Sequence, residues 1–512
     1  MSKVAKATIG LMIVTMLSKC LGFGRELVLG AAYGATSYSD VYITAMNIPI
    51  TLFSVIGTGL ATTFIPLYYE NRTLGGEEKG IKFINNTLNI VLVLGTIMAL
   101  LGMIFTEPLV KMFAIGFKEE EFRLAVQFTK IMMFGGLFLA ITKIMTSYLQ
   151  TKENFIIPGL VGIPFNIIII TSILLSSKIN LYILPIGTLL AMASQFLFQI
   201  PFASKKGYKY KPILNLKDEY VKKMIWLVGP VFIGVFVNQM NTVVDRTLAS
   251  TLVEGSISAL NYANRLNGFV MGLFIATLGA VIYPMLSKLS SENNSEKFTE
   301  SVVSSVNSVI LLVLPISVGA MTLATPIVKL LFERGAFDER ATQMTSIALV
   351  FYSIGMVAFG LRDILGKVFY SLQDTKTPMI NGAIAMSMNI IFNLAVVRFM
   401  GHAGLAFATS MSALICTVLL FSSLKKKIGY FGQDRIIKST LKSLVAAIIM
   451  GVAALISNKL LSNLLGISFM SNLISLFGAI FVGVVVYGVL VTILKVDEIK
   501  ILTNLIRRKL KK

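Results

Sequence analysis

The chain has 512 residues, 55% of them hydrophobic and only 14% charged, with 46 Lys and Arg against 25 Asp and Glu for a formal net charge of +21. Soluble domains carry about 25% charged residues, so this composition excludes an ordinary globular enzyme and points to an all-α protein that crosses a membrane many times. One His, two Cys and one Trp leave too few imidazole and thiolate ligands for a zinc, haem or iron–sulfur centre; no cofactor is expected, and Cys20 and Cys416, each in an apolar run, read as two buried free thiols.

A bilayer core of about 30 Å takes roughly 20 helical residues per crossing. Fourteen apolar stretches qualify: 8–31, 41–68, 83–106, 122–149, 155–177, 181–203, 222–251, 257–287, 299–323, 341–372, 378–398, 402–424, 437–458 and 471–494. Several are long enough to require tilt, kinks or extension past the membrane. The first lacks a small-residue cleavage site and contains Lys19, Arg25 and Glu26, so it is expected to be a retained helix. An even count puts both termini on one side. With the N-terminus in the cytoplasm, the segments between spans hold 25 of the 46 Lys and Arg on the inner side and 7 on the outer, the asymmetry that the positive-inside rule describes. These basic residues are scattered over short loops and line no aromatic groove, so nucleic acid is not an expected partner. The tail 495–512 alternates Ile499, Leu502, Ile506 and Leu510 with Lys500, Arg507, Arg508 and Lys509, a pattern for an amphipathic helix on anionic membrane lipid. The acidic run Glu119–Glu121 reads as a solvated helix start.

The sequence repeats itself at an offset of 218. Phe64-Ile65-Pro66-Leu67 is echoed by Ile282-Tyr283-Pro284-Met285, Asn89 by Asn307, and Pro108-Leu109-Val110-Lys111 by Pro326-Ile327-Val328-Lys329. At a slightly changed offset, Tyr148–Lys152 parallels Tyr370–Lys376. A shift of six spans keeps topology, so the expected fold is two six-helix parallel repeats around a central cavity, with two extra C-terminal helices. The expected division is a lobe at 1–220, a second at 221–430, and helices 13 and 14 with the tail at 431–512.

Ionisable groups inside the spans are costly and mark function by default. The candidates are Lys19, Arg25 and Glu26 in the first span, Asp245 and Arg246 at the end of the seventh, Arg265 in the eighth, and Arg362 and Asp363 in the tenth. Lys19 and Arg25 are about 9 Å apart in rise but about 120° apart in facing on a straight helix. A break at Gly22-Phe23-Gly24 is therefore expected if both meet one ligand; otherwise Glu26, on the same face as Lys19, pairs with it. Arg246 beside Asp245 and Arg362 beside Asp363 read as structural pairs or interface anchors. Clustered cations imply an anionic substrate, and a diphosphate suits the planar fork of Arg and the point charge of Lys. No GxxxxGK[ST] loop is present, so transport is expected to draw on an ion gradient or the membrane potential. Asn389 and Asn393, with Asp245 and Thr409, form a candidate site for Na⁺ or H⁺ as coupling ion, set against the commoner reading of amides as interhelical glue.

Five stretches carry a resemblance to a known family: Leu17–Glu26, Tyr262–Leu266, Leu331–Phe337, Phe369–Pro378 and Gly401–Ala406. In this order they resemble the MurJ (MviN) lipid II flippases, within the superfamily that also holds multidrug and polysaccharide-lipid exporters. The resemblance implies that a lipid-linked peptidoglycan precursor is moved by alternating access across a bacterial cytoplasmic membrane. Fourteen helices with an internal cleft need no partner to form the site, so a monomer is expected. The resemblance also implies a substrate-binding set of Lys19, Arg25, Glu26, Asp40 and Arg265. The sequence departs from the family pattern where Pro49 is followed by Ile50-Thr51-Leu52-Phe53 with no basic residue, and where Asn264 stands in place of Asp. An exporter of another polyprenyl-linked oligosaccharide and a cation-coupled multidrug antiporter are the alternatives; the second is expected to carry a dominant central acid, which the sequence does not show.

Overall fold

The computed structural model describes residues 3–292, 294–466 and 468–496, so the predicted tail helix lies outside the described residues apart from Lys495 and Val496. Helices follow one another with short breaks, and no strand occurs among the described residues. In chain order they are α1 (Lys3–Tyr33), α2 (Ser37–Ile104), α3 (Thr106–Phe113), α4 (Glu119–Thr151), α5 (Ile156–Leu160), α6 (Gly162–Ser176), α7 (Ile183–Lys205) and α8 (Glu219–Ser250). There follow α9 (Ser256–Val270), a π-helical turn (Met271–Ile275), α10 (Ala276–Ser291), α11 (Ser295–Thr322), α12 (Ala324–Phe332), α13 (Glu339–Ile354), α14 (Met356–Ser371), α15 (Lys376–Ile428), α16 (Gln433–Leu465) and α17 (Phe469–Ile493).

Among the described residues nine helices are long and apolar enough to cross a membrane, and α13 with α14, bent by 44° where they meet, makes a tenth. Two of the nine each contain two predicted spans. α2 covers 41–68 and 83–106 and is broken at Gly75 and Gly76; α15 covers 378–398 and 402–424 and is broken at Gly401. Gly76 (φ 72°, ψ −175°) and Gly401 (φ 54°, ψ −136°) occupy backbone regions that a side chain disfavours, which is why these two positions turn the chain.

The chain divides into two compact units, one of residues up to Ser258 with Arg334–Phe337, the other of Ala259–Glu333 and the chain from Asp338 onward. The packing boundary thus differs from the predicted lobe edge at 220. α8 joins the first unit because it is bonded along α2 and α3: Lys223 pairs with Glu70 at 2.8 Å, Gln239 Nε2 donates to Ser54 Oγ at 2.9 Å, and Thr247 Oγ1 donates to the Met112 carbonyl at 2.5 Å. Nor do α16 and α17 stand apart. Tyr487 donates to the Leu311 carbonyl at 3.0 Å, and Ala447 and Met450 pack on Val318, so both helices belong to the second unit.

Helices in lipid gain little from hydrophobicity and associate by close packing, which small residues permit. In the first unit a Cβ on Gly136 would stand 2.2 Å from the Phe53 ring, one on Gly95 2.5 Å from Leu137, and one on Gly135 2.3 Å from Met192. α2, α4 and α7 therefore touch nearly backbone to side chain. In the second unit Val302, Val306, Val309 and Val313, at helical spacing on α11, form one buried cluster with Ile364 and Val368 of α14 and Leu420 and Leu424 of α15. The connector between α7 and α8 is held by three asparagines of α2. Asn85 donates to the Lys209 carbonyl at 2.9 Å and accepts from Lys211 N; Asn86 exchanges two bonds with Asn215; Asn89 donates to the carbonyls of Lys211 and Ile213. Buried amides satisfied in this way order a segment that has no helix of its own.

The repeat is visible in fine geometry. α3 and α12 are short amphipathic helices, each with a Pro (Pro108, Pro326) in its first turn, where a missing N–H is tolerated. A non-Gly residue with positive φ then follows α4 and α14 alike, Glu153 (57°) and Gln373 (59°). The next residue caps the following helix in both: Asn154 Oδ1 accepts from Ile157 N at 3.3 Å, and Asp374 Oδ1 from Thr377 N at 2.9 Å. Asp374 also binds the Lys427 ammonium at 2.7 Å, and these two partners, Lys427 first, hold its carboxyl down at about 2.

At the end of α1, four connectors of the first unit come together through glycine. Ala336 N donates to the Ala31 carbonyl at 2.8 Å, and a Cβ on Gly335 would lie 2.2 Å from that oxygen. A Cβ on Gly34 would meet the Ala336 carbonyl at 2.3 Å, and one on Gly255 the Ala35 carbonyl at 2.2 Å. Gly116 N donates to Ser250 Oγ at 3.1 Å, and its Cβ would meet the Ser250 carbonyl at 2.2 Å.

Candidate functional site

α1 runs helically through Gly22-Phe23-Gly24, so the break expected there does not occur. Gly22 instead lets α6 approach, its Cβ position being 3.7 Å from Asn166 Nδ2. Lys19 and Arg25 accordingly serve different surroundings, as a straight helix requires.

Lys19 lines a cavity of about 590 Å³ inside the first unit, between α1, α2, α4, α5 and α7. Ser18 of α1, Ser54 and Thr58 of α2, Lys143 of α4 and Gln195 of α7 share its wall, and Phe53 closes one side. Arg25 does not line it. Its guanidinium is buried, donating from Nη2 to Glu26 Oε1 at 2.7 Å and from Nη1 to Asn166 Oδ1 at 3.2 Å, and it stands 5.5 Å over the Phe165 ring. The side chains of Arg25 and Glu26 are 12% and 3% exposed, so the pair is a compensated ion pair in a medium where either charge alone would be costly.

Asp40 is placed otherwise than its expected contact with substrate implies. It is buried in the first turn of α2, and its two oxygens accept from Gly255 N at 2.9 Å and Ser258 N at 2.7 Å. Ser37 N, beside it, donates to Glu254 at 2.8 Å. The carboxylate is thus spent on pinning the turn between α8 and α9. Arg265 is exposed on α9 in the second unit, six residues before the π-helical turn at Met271–Ile275; such turns widen a helix locally and recur at functional sites. Buried Tyr262 anchors this part of α9 against Phe332, ring centroids 5.2 Å apart.

The candidate ion-site residues divide between the units. Asp245 is half-buried on α8 in the first. In the second, the break at Gly401 brings Asn389 and Thr409 together: Asn393 Nδ2 donates to Asn389 Oδ1 at 3.0 Å, and Asn389 Nδ2 to Thr409 Oγ1 at 3.5 Å. On α14, Asp363 pairs with Lys367 one turn on, while Arg362 stacks over Phe359 at 5.8 Å, so the expected pairing of these neighbours is replaced by an i, i+4 pair. Of the two thiols, Cys416 is buried but Cys20 is exposed, on a face of α1 it shares with Met16 and Leu17.

Lys143 escaped the sequence reading. The signal was present, a lysine inside an apolar span, but its place eight residues from the end of α4 at Thr151 resembles that of a lysine reaching for headgroups.

Residues 29–476 match the family model for the lipid II flippase MurJ. A probable lipid II flippase MurJ from Vibrio cholerae is 33% identical over 82% of this chain and 83% of its own length. One from Haemophilus influenzae is 31% identical over 96% of this chain and all of its own. Among solved structures, a lipid II flippase MurJ in an inward closed conformation superposes with a TM-score of 0.82 at 28% identity, covering 96% of this chain and 100% of its own. An inward-facing multidrug MATE transporter of the MOP superfamily, at 14% identity over 82% of this chain and 98% of its own, has a TM-score of 0.69 and shares the fold alone. A family model spanning most of the sequence, and a relative alike from end to end, make this chain a member of the MurJ family of lipid II flippases.

Proposed function

We propose that this protein moves lipid II, an undecaprenyl-diphosphate-linked peptidoglycan precursor, from the inner to the outer leaflet of a bacterial cytoplasmic membrane by alternating access. It is a transporter and performs no covalent chemistry. The observation that carries the reading, beside family membership, is the polar cavity of the first unit, lined by two lysines and by no carboxylate; cations and hydroxyls suit phosphoryl oxygens. A cavity for cationic drugs would call for an acid on its wall.

The proposal has finer parts. The chain crosses fourteen times, as two six-helix parallel repeats at 1–220 and 221–430 and two added helices in 431–512, with both termini cytoplasmic; the breaks in α2 and α15 and the distribution of basic residues support this. Lys19, Arg25 and Arg265 supply cationic contacts to the diphosphate, Glu26 holds Arg25 ready, and Asp40 acts by fixing the turn before α9. A coupling ion, Na⁺ or H⁺, uses Asp245 or the amide chain of Asn389, Asn393 and Thr409. The protein works as a monomer among membrane lipids.

The test reconstitutes purified protein with labelled lipid II and follows its appearance in the far leaflet. Wild type is expected to move the lipid, and Lys19→Ala and Arg265→Ala, at matched fold and amount, to fail. Transport of a different polyprenyl-linked glycan, with lipid II left in place, would replace the substrate assignment.

A further inference from the structure

Lys143 sits about 12 Å along the helix axis from the end of α4, within a helix long and apolar enough to cross a membrane. A lysine there is costly unless it meets an opposite charge, water or polar groups. Its stem lies against α2, where Gly57 makes room: a Cβ on Gly57 would stand 3.3 Å from Lys143 Cγ. The side chain borders the same cavity as Lys19. Around them the wall offers hydroxyls, an amide and apolar groups, and none of the lining residues is acidic. Lys143 has neither an ion pair nor a hydrogen bond among the described residues. The two charged residues of the wall, Lys19 and Lys143, are both positive.

We infer that Lys143 and Lys19 together form a phosphate-binding pocket inside the first unit, in which Lys143 contacts the diphosphate of the lipid-linked substrate from the α4 side. This rests on the flippase reading and adds a residue and a wall to it. Two ammonium groups on separate helices suit a ligand with two adjacent phosphoryl groups better than one with a single phosphate, because each group can take its own oxygen. α2, which contributes Ile50, Phe53, Ser54, Gly57 and Thr58 to the wall, brings no cation, so the second positive charge comes from α4. Ordinary anionic phospholipids offer a single phosphate and are the competing source of the same chemistry.

The experiment uses the full chain in phosphatidylcholine nanodiscs, titrated with undecaprenyl diphosphate and separately with phosphatidylglycerol, binding being read by native mass spectrometry. Lys143→Met and Lys143→Gln are expected to weaken undecaprenyl diphosphate binding by about tenfold or more, and Lys143→Arg to stay within about threefold of wild type, as befits loss or retention of a charge-assisted contact. Phosphatidylglycerol binding is expected to stay unchanged. Two neutral variants guard against one that fails to fold. Wild-type affinity in both folded neutral variants overturns the inference, and so does an equal loss for both lipids, which would mark a general phospholipid site. The leaflet assay separates the two claims: if wild type does not move lipid II while diphosphate binding still depends on Lys143, the transport reading falls and the pocket stands. If wild type moves lipid II and the neutral variants match it in binding, the pocket falls and the transport reading stands.

Discussion

Arg25 and Glu26 are adjacent in sequence, and on a helix adjacent side chains diverge by about 100°, yet their terminal atoms meet at 2.7 Å. The meeting is made by α6, which receives the other arm of the guanidinium on Asn166 and its face on Phe165. Removing one partner of such a pair leaves a buried charge alone. Glu26→Gln is therefore expected to destabilise the protein by about 3–5 kcal/mol, and Arg25→Gln/Glu26→Gln by clearly less, because the double variant strands no charge; thermal unfolding in detergent checks the order. The charge itself was legible, as two adjacent ionisable residues deep in an apolar run. Its partners were not, because Asn166 lies 141 residues away and looks in the sequence like any other amide. The same holds for Asn85, Asn86 and Asn89, which bond mainly to backbone groups that no side-chain pattern announces, with the Tyr208 and Tyr210 hydroxyls donating to Asn85 and Asn89. Asp40 shows the limit from the other side: the family resemblance put it among the substrate contacts, but its two backbone donors belong to a turn more than 200 residues on.

Elements were more readable than their joints. Apolar length located the long helices, but it could not say that 69–82 continues as helix between two apolar stretches. The reason is local: the polar residues there are good helix formers, and only Gly75 and Gly76 interrupt. Gly76 and Gly401 are useful because a Cβ at either would touch nothing within 4 Å, so an alanine there tests backbone conformation alone. Gly76→Ala and Gly401→Ala are each expected to cost about 1–3 kcal/mol without any steric clash; an unchanged melting temperature in both would show that the breaks do not depend on the left-handed backbone. The repeat found in the sequence from proline-containing tetrapeptides extends to features that identity could not reveal, because Asn154 and Asp374, or Glu153 and Gln373, are different residues doing the same thing in the same place. Conversely, Gly22-Phe23-Gly24 looked like a joint and is none: with α6 packed beside it, a small residue there serves approach.

For the whole molecule the division into units matters more than the division into repeats. Repeats follow ancestry of sequence, while units follow bonds, and α8 is bonded to α2 and α3. The connectors gathered at the end of α1 carry this furthest, since residues 334–337 complete a unit whose other residues all precede 259. Gly335→Ala would push a methyl group to within 2.2 Å of the Ala31 carbonyl, and backbone has little room to give. The variant is expected to lose about 1–3 kcal/mol and to move lipid II more slowly, which unfolding and leaflet assays together would show; a variant unchanged in both would mean that this junction bears no load.

That four-residue graft has a consequence for how the protein is made. Ribosomes deliver Phe337 about 80 residues later than Ser258, roughly 4–16 s at about 5–20 residues per second. Throughout that interval the nascent first unit waits with the Ala31 carbonyl and the notch at Gly34 unfilled. A chain stalled or cut before Arg334 would contain every helix of that unit and still leave it unfinished, so the first unit is complete only once the chain has been synthesised through Phe337.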